Sequence, residues 1–325
     1  MAICIDGNVV CFGGGCFCQT PTGIEFTGEA LADCFISCVV PNAMGTVSGY
    51  TSGGRAPSIV DTIDKFPFAA DSPATDVGEL TQGRYYVAGQ SSTASGYTSS
   101  GYAPPRVDTI DKFPFAADAS ATDVGELTQA RYGAAGQSST ASGYTSGGVV
   151  PPNVDTIDKF PFAADANATD VGELTQVRYG LAGQSSTVSG YTSGGGIPIV
   201  DTIDKFPFAA DASATDVGEL TQARNWGAGQ SSTSSGYTSG GGAPPPVDTI
   251  DKFPFAADSP ATDVGELTQA RFIGAGQSST ASGYKSGGGP GVQDTIDKFP
   301  FAADASATDV GELTQGREGP TGQQV

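Results

Sequence analysis

Six cysteines, Cys4, Cys11, Cys16, Cys18, Cys34 and Cys38, are the first residues of this sequence with chemistry to offer, and the remainder of its 325 residues contains no other. A segment so small usually needs cross-links or a metal. Three readings are open: disulfides, buried free thiols packed against a partner, or a metal site, although Cys16-x-Cys18 is tighter than the roughly two to four residues that separate zinc ligands. Aspartates form a second set, paired as in Asp108 and Asp111. They lack the alternating oxygen donors and turn glycine of a calcium loop, so turn formation and solvation are the expected roles and no metal is assigned. Histidine is absent from the whole chain, which removes the commonest general base and the commonest transition-metal ligand. An active site needs an asymmetric constellation. The residues that break the pattern, Asn225, Trp226, Lys285 and Glu318, make no such set, so neither an enzyme nor a cofactor is expected.

What positions these residues is a repeat. The octapeptide DTIDKFPF starts at Asp61, Asp108, Asp155, Asp201, Asp248 and Asp294, so six copies follow one another at 46 or 47 residues. A period of that length marks a stacked array, each copy one supersecondary unit. The recurring positions of each unit carry four Asp, one Glu, one Lys and one Arg, and the formal charge of −20 is spread around the molecule. Such a surface repels phosphate backbones and anionic lipid, so neither nucleic acid nor a membrane is an expected partner. The start, MAICIDGNVVCF, shows no basic region ahead of its apolar letters and reads as no secretory signal.

Two domains are expected: a Cys-rich docking segment over 1–46 and the repeats over 47–325. In the first, Asp6-Gly7 lies between two β-prone runs and predicts a hairpin. Gly13-Gly14-Gly15 then breaks the chain, and Thr27 to Val40 reads as a short helix or a strand. In the repeats no stretch has an apolar 3.6-residue period, so they are all-β. Taking 84–129 as one unit, strands are expected at Tyr85 to Ser92, Gly96 to Ser99, Val107 to Phe115 and Thr122 to Leu127. Four short antiparallel strands, six times over, describe a six-bladed β-propeller. Tyr97, Ile110, Phe113, Phe115, Val124 and Leu127 should fill the space between sheets, and the repeat arginine should pair with Asp123 or Glu126. The first copy starts at its second strand, while Arg317 and Gly322-Gln323-Gln324 supply one more first strand. The two ends should therefore close the ring, removing the open sheet edges.

Variation among the copies collects in two places. One is the triplet after the repeat arginine, from Tyr85-Tyr86-Val87 to Glu318-Gly319-Pro320; the other is the Pro-rich link between the second and third strands. In an up-and-down blade both emerge on one face. Loops on a rigid scaffold commonly carry binding surfaces, and aromatics with Arg are favoured at contact hot spots. Tyr85, Tyr86, Tyr102, Arg106, Tyr132, Tyr179, Trp226 and Phe272 are accordingly the candidate recognition residues.

An arginine-led strand followed by one ending in a glycine pair, as at Arg131 and Gly143-Tyr144-Thr145-Ser146-Gly147-Gly148, resembles a kelch repeat. DTIDKFPF stands where that repeat has a tyrosine-containing strand, and its usual tryptophan is missing. The combination of DTIDKFPFA, ATDVGELT, AGQSS and SGYTSGG is similar to repeat proteins of marine tailed bacteriophages, including those of cyanobacteria. That resemblance implies a kelch-like propeller in a virion, as a tail fibre, head decoration or receptor-facing knob. Other virion proteins would meet it through residues 1–46, and a host surface glycan or receptor through the variable face. A carbohydrate-binding adhesin of a bacterial surface is the alternative.

Overall fold

The computed structural model describes residues 45–325 in full and, before them, the backbone of residues 4–6, 9–12, 15–20 and 23–26. Two compact units result, Met1–Val40 and Pro41–Val325. The first contains an antiparallel meander of strands Cys4–Asp6, Val9–Phe12, Gly15–Thr20 and Gly23–Phe26. The expected hairpin is its first pairing, with Cys4 opposite Cys11 and Asp6 opposite Val9. The glycine run does not end the sheet, because Phe12 pairs with Gly15 and Cys11 with Cys16 in a second hairpin. The side chains of Cys4, Cys11, Cys16 and Cys18, all of Cys34 and Cys38, and the helix-or-strand question at 27–40 lie outside the described residues.

The second unit is a six-bladed β-propeller. Blade 2 is typical: an inner strand Ala88–Ser91, a second Ser95–Ser99, a third Thr109–Pro114 and a fourth Thr122–Glu126 hydrogen-bond in that order. Pro114 costs no ladder bond, since the pairing with the fourth strand runs only from Thr109 opposite Glu126 to Lys112 opposite Thr122. Ring closure is as the termini foretold. Strand Thr321–Gln324 is the inner strand of blade 1, beside Ser48–Ser52, with Gln323 opposite Tyr50.

The apolar core lies between blades and not within them. Tyr97, Ile110 and Leu127 of blade 2 pack against Phe160 and Ala168 of blade 3, with Val124 and Phe162 alongside. Phe113 and Phe115 pack in the opposite direction, on Tyr50, Ile63 and Leu80 of blade 1. The Tyr97 ring stacks on Phe162 at 4.8 Å between centroids. Each such side chain contributes about 1.5–3 kcal/mol on burial, so the ring is stable only when both neighbours of every blade are present.

Polar staples repeat with the same sense. Asp111 accepts from Thr81 N (2.9 Å) and Thr81 Oγ1 (2.7 Å), in the turn leaving blade 1. Its Oδ2 also lies 3.1 Å from Arg84 Nη2, both side chains being fully buried. The repeat arginine pairs with the second Asp of DTID, not with Asp123 or Glu126, and that Asp is buried and ion-paired instead of solvated. Register explains both, because the arginine precedes the inner strand and reaches across to the middle of the third. Burial lowers the pKa of Arg84 and its five counterparts, and the facing aspartates oppose that shift. On the outer rim, Lys112 Nζ meets Asp165 Oδ1 of the next blade at 2.9 Å, again six times around.

Nearest the axis the inner strands touch. A Cβ on Gly136 would lie 2.1 Å from Gly89 O, and the inner-strand glycine of every other blade is in similar conflict with a backbone oxygen. Gly136→Ala is therefore expected to lower the melting temperature by several degrees, about 1–3 kcal/mol of overpacking. A thermal melt showing no change would remove close approach as the reason for glycine there.

Just outside this contact, Gln90 Nε2 donates to Ser99 Oγ of its own blade (2.9 Å) and to Tyr144 O (2.9 Å) and Thr145 Oγ1 (3.0 Å) of the next. Ser99 Oγ and Thr145 Oγ1 are 2.8 Å apart. The pattern departs in two places: Gln137 Nε2 reaches only Tyr191 O while Thr192 Oγ1 accepts from Arg178 Nη2, and beside Gln230 Lys285 stands in place of the threonine.

Candidate functional site

The two variable stretches pair with one another through a backbone bridge in five blades, and in the remaining one Gly196 N–H donates to Tyr179 O at 2.7 Å. Backbone bridges join Tyr85 to Tyr102, Tyr132 to Val149, Asn225 to Gly242, Phe272 to Gly289 and Arg55 to Glu318. The expectation that they share one face of the disc therefore holds.

The middle residue of each triplet is left-handed in all six blades: Tyr86 (φ 57°), Gly133 (68°), Gly180 (65°), Trp226 (55°), Ile273 (60°) and Gly319 (69°). That conformation turns each N–H toward the preceding blade. Gly133 N–H donates to Tyr86 O (2.8 Å), Gly180 to Gly133 (2.7 Å), Trp226 to Gly180 (2.6 Å), Ile273 to Trp226 (2.8 Å), Gly319 to Ile273 (2.8 Å) and Tyr86 to Gly319 (2.7 Å). Six hydrogen bonds thus close a ring around the mouth of the axial channel. Three of the six positions are not glycine, and a left-handed bulky residue costs about 1–3 kcal/mol.

Two of the three large side chains are accommodated by the three glycines. A Cβ on Gly180 would lie 2.9 Å from the Trp226 indole and one on Gly133 would lie 3.0 Å from its edge, while one on Gly319 would lie 2.9 Å from the Tyr86 ring. Trp226 and Tyr86 come from blades 5 and 2, yet their centroids are 4.6 Å apart. They lie across the channel mouth.

Around this pair the other candidates assemble. Tyr86 contacts Tyr85 at 4.5 Å and Tyr132 at 6.0 Å; Tyr102 contacts Tyr85 at 5.5 Å and Tyr132 at 5.4 Å; Tyr179 contacts Trp226 at 5.8 Å. All six are partly buried. Each such ring pair contributes about 0.5–1.5 kcal/mol beyond area. Burial raises the pKa of Tyr86, with Glu318 adding to it, and burial also raises that of Tyr179. Arg55 sits 5.3 Å from the Tyr85 centroid and is bound to Glu318 at 2.5 Å.

Of the eight candidates, then, six rings form one cluster. Arg106 borders it through a backbone bridge to Tyr102. Phe272 takes part in no ring contact among the described residues. Arg55, Ile273 and Glu318 belong to the face but were not among the candidates. The alternation of Gly with large residues after the repeat arginine was the visible signal for Ile273.

Replacing Trp226 separates strain from packing. Trp226→Gly should be more stable than Trp226→Ala by about 1 kcal/mol, because only glycine adopts this φ freely. Equal denaturant midpoints for the two variants would show that the position is not strained.

No metal cluster of three or more His, Cys, Asp or Glu occurs among the described residues. No family model matches the chain, and no curated protein shows significant similarity to it.

Proposed function

We propose that this protein is a non-enzymatic structural and interaction component of a phage particle, in which residues 1–46 dock to another virion protein and the propeller is displayed with its aromatic face as the recognition surface. The observation that carries the reading is a division of labour. The repeated polar residues are engaged by the scaffold, as buried Arg–Asp pairs, Thr–Asp staples and rim Lys–Asp pairs. The variable residues collect at one mouth of the axis, where six aromatic rings meet. The resemblance of the repeat unit to phage repeat proteins supplies the setting.

A carbohydrate-binding adhesin is the second reading, favoured by the same cluster, since aromatic faces stack on the apolar C–H faces of sugars.

The test is proteomics and cryo-EM of the particle. The expected map has residues 1–46 buried in a capsid or tail protein and Trp226 facing outward. A map with the Trp226 face buried would make it an assembly interface, and absence of the chain from purified virions would remove the proposal. Trp226→Gly with Tyr86→Gly should abolish partner binding while the fold persists, because glycine already serves at this position in three blades.

A further inference from the structure

The cations of the chain are almost wholly committed. Of 15 Lys and Arg, six arginines are buried against aspartate and six lysines are bound to aspartate on the rim. Lys285 is buried. Arg55 is tied to Glu318. Among the described residues Arg106 is left as the one solvent-accessible cation without an ion-pair partner, on a partly exposed loop.

Its position is specific. Tyr102 is bridged on one side to Tyr85 and on the other to Arg106. The three residues form a row in which directly opposed side chains stand on the same side, with Cβ atoms about 4.5–5.5 Å apart. Arg106 therefore borders the aromatic cluster where Tyr85, Tyr102 and Tyr132 meet. The variable stretches contain one carboxylate, Glu318, and Arg55 neutralises it. The nearest repeat acid in sequence is Asp108, just before the third strand and so farther from the axis. On a molecule of charge −20, this is a local patch without net negative charge.

Resting on the reading of this face as a recognition surface, we infer that its ligand is an acidic saccharide. The pyranose C–H face stacks on Tyr102, Tyr132 and Tyr86, the last in contact with Trp226, and a sugar carboxylate takes the Arg106 guanidinium. A planar fork of donors matches a carboxylate bidentately. Surrounding acid penalises the ligand everywhere else on the disc, so the anionic group also fixes where the chain of sugars lies.

The chain has one tryptophan, Trp226, beside 11 tyrosines, so emission excited selectively at tryptophan reports on this site alone. Full-length protein is titrated with oligogalacturonate and with the same oligomer fully methyl-esterified, which keeps the sugar and removes the charge. Saturable change in Trp226 emission with the acid form is expected, at least about tenfold tighter than with the ester, and Arg106→Gln should abolish that difference. Equal affinity for the two oligomers overturns the acidic ligand while sugar stacking on the face stands, and an acid preference that survives Arg106→Gln overturns Arg106 as the carboxylate's partner. No emission change with either oligomer also overturns it. Failure of the virion reading is seen separately, in the particle proteome.

Discussion

Replacing Lys285 by threonine is expected to stabilise the protein by about 2–4 kcal/mol, a rise in melting temperature of roughly 5 °C or more. Lys285 is completely buried, and its Nζ finds only carbonyls, Ser239 O at 2.8 Å and Arg271 O at 3.3 Å. Burial, with Arg271 and Arg224 nearby, drives its pKa well below the ordinary value, and Asp297 opposes this without reversing it. The other blades show what threonine would do there. In blades 4 and 5, Thr238 Oγ1 lies 2.7 Å from Ser193 Oγ and accepts from Gln184 Nε2 at 3.0 Å. Ser239 lacks that partner and turns to Ala228 O at 3.4 Å.

The same lysine sets a pH dependence. Its folded pKa is depressed and its unfolded pKa is ordinary, near 10.5. Between the two, the unfolded chain binds a proton that the folded one does not, so stability rises with pH. The contribution is fully present above the unfolded pKa and is lost as pH falls toward the folded one. Stability of the native protein should therefore climb as pH rises toward the unfolded pKa, and Lys285→Thr should flatten that climb. Denaturant midpoints that are parallel for the two proteins across this range would show that Lys285 carries its proton in the folded state.

Deleting residues 317–325 is expected to have the largest effect of all: loss of the cooperative transition at ambient temperature, or its survival only in oligomers. The deletion removes the inner strand of blade 1 and exposes Ser48–Ser52 as an edge. It removes Arg317, whose Nη2 lies 2.6 Å from buried Asp64, and leaves that carboxylate with Thr314 alone. Stranding a buried charge costs about 3–5 kcal/mol. It also removes Gln323, which donates to Ser52 Oγ in blade 1 and to Tyr97 O and Thr98 Oγ1 in blade 2. Together these approach the whole stability of a typical domain. A truncated protein that stayed monomeric with an unchanged melting temperature would show that the ring does not depend on its seam.

The fold was legible because the repeat supplies its own comparison. Six copies place the apolar letters in register, and the missing first strand at one end with a spare one at the other is a matter of counting. What the copies share they cannot explain. Asp111, Asp123 and Glu126 recur equally often near Arg84, and only strand register selects Asp111. The face was legible as variation at Tyr85, Tyr86 and Trp226, but its geometry was not. That Tyr86 and Trp226 meet across the axis depends on the left-handed backbone at both, a conformation their side chains disfavour and composition does not reveal. Lys285 stood out as an exception, yet whether its amine reached solvent depended on packing between two blades.

The seam between the termini also determines how the propeller would bear tension. Val325 O accepts from Thr46, Val47 and Ser48 N at 2.8, 2.6 and 3.0 Å, and Gly45 N donates to Ser278 O at 2.7 Å. A pull at Gly45 runs along Ser48–Ser52, which is bonded on one side to Thr321–Gln324 and on the other to Thr62–Pro67. Ladder bonds lie perpendicular to their strands, so such a load shears both ladders together instead of peeling them one bond at a time. The seam that completes the ring is thus a mechanical clamp against a load applied at Gly45.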